Sequence, residues 1–132
     1  MLAGNVKVSL KGSPPERARD AVSQIMQTVS CVPDDVAVEW PRITRGWGPA
    51  DAQVPMAAVA GALAMAVPGA RIVVYYPNQW KRSVKREILP SRAAGFLTTD
   101  EHVRIENPGN DGWHAIGIGL VHLGRAQPGL SR

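Results

Sequence analysis

The chain has 132 residues, a length that suits one compact domain with a single layered core. Hydrophobic residues make up 45% of it and there are no repeats or low-complexity tracts, which makes disorder and a solenoid poor readings. The net charge is +4, and the segment 80–92 alone carries that excess: Lys81, Arg82, Lys85, Arg86 and Arg92 stand there against Glu87. A lone cysteine, Cys31, excludes an internal disulfide and a thiolate zinc site and fits a reducing cytoplasm. No signal peptide is visible, and the longest apolar stretch, residues 54–67, is too short to span a bilayer.

Val6, Val8 and Leu10 alternate with Lys7 and Ser9, which predicts a short half-buried strand. Gly12-Ser13-Pro14-Pro15 closes it, and Ser13 with Glu16 reads as a capping box. A helix is then expected to about Val29, with Ala18, Val22, Ile25, Met26 and Val29 at helical spacing. Residues 31–35 form a turn. Val36-Ala37-Val38 predicts a buried strand that ends in Glu39. Residues 41–50, rich in Gly, Pro and Arg, form a loop that holds Trp47. The Ala-rich stretch 54–67 predicts a helix apolar all round and packed between layers, stopped by Pro68-Gly69. Residues 72–76 predict a second buried strand. Residues 80–92 suit a loop or a short helix, and Val103-Arg104-Ile105 suits a short extended piece. A turn at 107–110 leads to a last helix from Asp111 to about Leu123, after which the chain reads as a frayed, flexible tail, residues 126–132. Two strands joined by a helix should lie parallel, so the class is α/β, with functional groups at the strand C-termini.

Three elements carry the candidate chemistry. The first is the strand end Val38-Glu39-Trp40-Pro41. The second is Trp80-Lys81 with Lys85. The third is Asn110-Asp111-Gly112-Trp113-His114-Ala115 and the small and aliphatic run Ile116-Gly117-Ile118-Gly119. Taken singly, each has a plain account. Strand-end glutamates are commonly solvated, an aspartate in a first turn answers the helix dipole, and most histidines are not ligands. Asp111 and His114, three apart on a helix, share a face. Arg42, Arg45 and Trp47 form either a basic, aromatic grip on a nucleic acid or an exposed turn with a partly buried tryptophan. Gly112, Gly117 and Gly119, costly inside a helix, would let it lie close to a sheet.

In this order the three elements resemble the RuvC branch of the RNase H-like nucleases, over residues 5–125. The resemblance implies a single domain, 1–125, with an RNase H-like mixed sheet and flanking helices. It implies a metal-dependent DNA endonuclease of the Holliday junction resolvase kind, acting on branched DNA in a bacterial cell or phage-infected host. Glu39, Asp111 and His114 would hold Mg²⁺ or Mn²⁺, and these three with Lys81 would form the catalytic set. Lys81, Arg82, Lys85, Arg86, Arg42, Arg45 and Trp47 would contact DNA. A homodimer is a further family expectation.

The pattern is broken in two places. The family's first central strand, with Asp-x-Gly and the central metal ligand, has no counterpart in this chain. Asp20 is no substitute, because it falls within the first predicted helix. His114 stands where the family has Asp, and Asn110 where it often has His; imidazole suits Mn²⁺ better than Mg²⁺. The chain is therefore expected to be catalytically incomplete. Its alternative is a non-catalytic nucleic-acid-binding module of the same descent. An actin-like ATPase fragment is a third reading, and the Gly-rich phosphate loops it needs are missing.

Overall fold

The computed structural model describes residues 11–40, 54–105 and 107–131. The expected strand at 6–10 and the loop with Arg42, Arg45 and Trp47 lie outside the described residues. The elements are α1 (Pro14–Thr28), β1 (Asp35–Glu39), α2 (Val54–Ala66), β2 (Arg71–Tyr75), α3 (Pro77–Trp80), α4 (Leu89–Ala94), α5 (Thr99–Arg104) and α6 (Gly109–His122). This is a mixed α/β arrangement with a small two-stranded parallel sheet. It falls into two compact units, within residues 6–73 and within residues 74–132. Among the described residues no helix is long and apolar enough to cross a membrane.

In the first unit α1 begins as its sequence dictates. Pro14 and Pro15 fit the first turn, where no amide partner is needed. The Glu16 carboxylate turns back to accept from the Ser13 amide at 2.7 Å and the Ser13 hydroxyl at 2.8 Å. Those hydrogen bonds, the backbone one foremost, hold the Glu16 carboxyl below its ordinary range. Ala18, Ala21 and Val22 are buried, and α1 packs on α2. The sheet starts in register: the Arg71 amide donates to the Asp34 carbonyl at 2.8 Å, and the Arg71 guanidinium grips the Asp35 carboxylate at 2.9 and 2.7 Å. Asp35 and Arg71 each open a strand, so β1 and β2 run the same way.

Burial differs from the sequence expectation here. Neither strand is fully enclosed, and Val74 is 42% exposed. Met65 on α2 is 82% exposed although that helix is apolar all round, because α1 covers only part of its circumference. Hydrophobic composition set the helix and strands; the number of covering layers, a tertiary property, decided their exposure.

The second unit is organised around Trp80, which has no exposed surface. Leu89, Ala93, Ile116, Leu120, Ala126 and Leu130 are also buried in this unit, and α6 packs on α3 and α4. Gly117 presents bare backbone to the Trp80 ring; a Cβ there would fall 2.6 Å from Cζ3. The α6 glycines were expected to bring that helix against a sheet. For Gly117 the close neighbour is instead an indole, and among the described residues no group from outside its own helix turn lies within 4 Å of where a Gly119 Cβ would be.

Two further expectations are corrected in this unit. Residues 103–105 do not begin a strand; Val103 and Arg104 end α5. Thr98 caps that helix: its hydroxyl accepts from the Glu101 amide at 3.3 Å, and the Glu101 carboxylate accepts from the Thr98 amide at 2.9 Å. The capping box overrides the β preference of Val103, and only Ile105, the C-cap, is extended as expected. The residues after Gly124 are no frayed tail. Ala126 and Leu130 are buried, and Gln127 pairs with Ser131 across a tight turn, its amide 2.9 Å from the Ser131 carbonyl. Apolar anchoring and backbone hydrogen bonds order this segment, features that a Gly- and Pro-rich composition does not advertise.

Candidate nucleic-acid interface

The basic segment hangs between two buried anchors, Trp80 at the end of α3 and Leu89 at the start of α4. Between them the chain turns twice. The Val84 amide donates to the Lys81 carbonyl at 3.0 Å, and the Ile88 and Leu89 amides both reach the Lys85 carbonyl, at 3.1 and 3.2 Å. With both ends held inside, the long cationic side chains have only the outside to occupy. Arg82, Lys85 and Arg86 are exposed and Lys81 is half-buried, its Nζ 5.9 Å from the Trp80 ring centroid. That is near the outer limit for a cation over an aromatic face.

Among the described residues no carboxylate lies within ion-pairing distance of Lys81, Arg82 or Lys85. Arg86 has one neighbour of opposite sign: its Nη2 is 3.9 Å from Asp111 Oδ1, with the Asp111 side chain 95% exposed. So wet a pair adds little. The result is a compact group of uncommitted donors, two of them guanidinium forks that suit phosphate oxygens. Arg92, the fifth cation, is used internally: its Nη1 donates to the Gly129 carbonyl at 3.0 Å.

The residues expected to hold a metal are placed as follows. Glu39 is the last residue of β1 and is half-buried, in the unit within residues 6–73. Asp111 and His114 lie on α6 in the other unit. Their surroundings differ despite the three-residue spacing. Asp111 faces water beside the Arg86 cation, whereas the His114 ring stands edge-on to Trp80 with centroids 5.6 Å apart and its Nε2 enclosed. Among the described residues no group of three or more His, Cys, Asp or Glu is placed to hold a metal ion. Within their own unit Asp111, open to water, and His114, with its Nε2 enclosed, do not present one shared set of ligands, and no hydrolytic step is assigned to the three residues.

Trp80-Lys81, expected as one functional pair, differs in burial: the indole is fully buried and Lys81 is half-buried. Sequence reasoning missed the left-handed backbone of Arg82, φ 53°, and the turn around Gly129 that lies against it. The Pro128-Gly129 dipeptide was the available signal for that turn. No family model, curated protein or solved structure matches the chain.

Proposed function

We propose that this chain is a nucleic-acid-binding module that grips the phosphate backbone with Lys81, Arg82, Lys85 and Arg86. The observation that carries the reading is the mounting of those four cations. Trp80 and Leu89 pin the segment from within, and three of the four cations have no carboxylate at ion-pairing distance among the described residues. A polyanion supplies what the protein does not: closely spaced negative charge, whose condensed counterions are released on binding. The positioned groups contact phosphates, so they select nucleic acid over other partners without reading its sequence.

Metal-dependent cleavage of DNA is the second reading. It is favoured by the order of Glu39, Trp80-Lys81 and Asp111–His114 in the sequence, the RuvC-like pattern within an α/β chain. An RNase H-like fold, a preference for branched DNA and a homodimer belong to that reading.

One experiment addresses both. The chain is titrated with a DNA duplex and with a four-way junction, first in EDTA and then with Mg²⁺ or Mn²⁺. Salt-sensitive binding to both DNAs with no strand scission is the expected result. Scission that needs the metal would make the second reading the right one, and absence of binding at low salt would refute both.

A further inference from the structure

Arg82 has φ 53°, in the left-handed region that a residue with a long side chain avoids. Nothing local calls for it, since Lys81-Arg82-Ser83 contains neither Gly nor Asn. A conformation of this kind persists when the surrounding structure holds it. The surroundings here are the turn at residues 127–131. The Gly129 amide donates to the Trp80 carbonyl at 2.6 Å, two residues before Arg82. The Gly129 carbonyl accepts from Arg92 Nη1 at 3.0 Å. The Gly129 backbone lies along the Arg82 stem, so that a Cβ on Gly129 would be 3.6 Å from Arg82 Cδ. Gly129 itself has φ 84°, and the buried Leu130 fastens the turn to the core.

We infer that Gly129 and Arg92 are positioning residues for the basic turn: they fix Arg82 in its left-handed conformation, and through it the spacing of the cations offered to phosphate. For its consequence in binding, this rests on the nucleic-acid reading above. Gly129 touches no phosphate; it acts by holding the Trp80 carbonyl and the Arg82 stem. A turn organised before binding loses less freedom when the ligand arrives, which is the advantage of building it this way.

Gly129→Ala is the informative variant, because it changes no charge. Its Cβ meets only ordinary contact distances, but alanine resists the required φ. Gly129→Asn is the rescue, since asparagine accepts left-handed backbone. Binding of a short DNA duplex is measured between about 50 and 200 mM salt. Gly129→Ala is expected to lower the logarithmic salt slope by up to about 0.9, an affinity loss of about eightfold near 0.1 M salt, while Gly129→Asn keeps the native slope. Arg82→Gln should produce the same loss, and adding Gly129→Ala to it should cost nothing more. Losses that add together would overturn the inference.

A second readout is independent of DNA. Well below the thermal midpoint, trypsin should cut after residues 81–86 faster in Gly129→Ala and Arg92→Met than in the native chain. Unchanged cutting would show that the turn does not depend on Gly129 or Arg92. If the native chain fails to bind DNA, the nucleic-acid reading is lost, and the trypsin result still decides the positioning role.

Discussion

A Cβ placed on Gly117 would lie 2.6 Å from Cζ3 of Trp80, closer than non-bonded carbons can approach. Gly117 is therefore what lets α6 seat the fully buried indole. Alanine would favour the helix intrinsically by up to about 1 kcal/mol. Overpacking costs about 1–3 kcal/mol and should outweigh that gain. Gly117→Ala is expected to destabilise the chain by about 1–2 kcal/mol in urea unfolding. An unchanged or raised midpoint would mean that the Trp80 ring has room to move.

The Glu101 carboxyl is held down to about 2, by the Arg125 guanidinium first and the Thr98 amide second. Arg125 grips it with both nitrogens, at 2.7 and 2.8 Å, and also donates to the Phe96 carbonyl at 2.7 Å. A folded-state pKa below the unfolded value stabilises the protein above the unfolded pKa, and that stability is lost as pH falls. The window therefore opens near the ordinary value of 4.5 and closes near 2. The advantage of the native chain over Glu101→Gln should be constant at neutral pH and shrink steadily across that window. Thermal midpoints that fall in parallel for both proteins would contradict the assignment.

Local signals were legible in the sequence wherever one short segment decided the outcome. Ser13 and Glu16 announced α1, and the capping box is formed. The same spacing at Thr98 and Glu101 announces α5, yet Val103 and Ile105 draw attention as a strand, because β-branched residues at alternate positions mimic a short extended piece. Glu39 does end a strand and Asp111 does stand in a first turn. What could not be read were relationships across the chain. Trp80 reads only as one half of the Trp80-Lys81 element until Gly117, far along the sequence, is seen to receive it. Gly129 and Leu130 look like a frayed end until their contacts with Trp80, Arg82 and Arg92 appear.

Arg82→Gly separates stability from binding. Left-handed backbone costs an ordinary residue about 1–2 kcal/mol. Glycine removes that cost but adds about 0.5–1 kcal/mol of chain entropy in the unfolded state. The variant should be as stable as the native chain or up to about 1 kcal/mol more stable, while binding DNA less tightly. A clear fall in the urea midpoint would show that the Arg82 side chain, and not its backbone, sustains the fold.

Asp111 stands 3.9 Å from Arg86, and its negative charge would repel an approaching phosphate. Asp111→Asn removes that charge without changing shape. Fluorescence anisotropy with a DNA duplex should show about two- to threefold tighter binding at low salt, fading as salt screens the charge. Weaker binding in the presence of Mg²⁺ would assign Asp111 a metal-mediated role instead.

The central claim is that the turn at residues 81–86 is the phosphate grip. Combining Lys81→Ala, Lys85→Ala and Arg86→Ala tests it, with the affinity for a DNA duplex followed between about 50 and 200 mM salt. If each side chain covers one phosphate, the slope of log affinity against log salt should fall by about 2–3 from its native value. Thermal unfolding should be little changed, because Arg86 and Lys85 are exposed and Lys81 is only half-buried. The same slope in native and triple-substituted chains would contradict the account and place any DNA contact elsewhere.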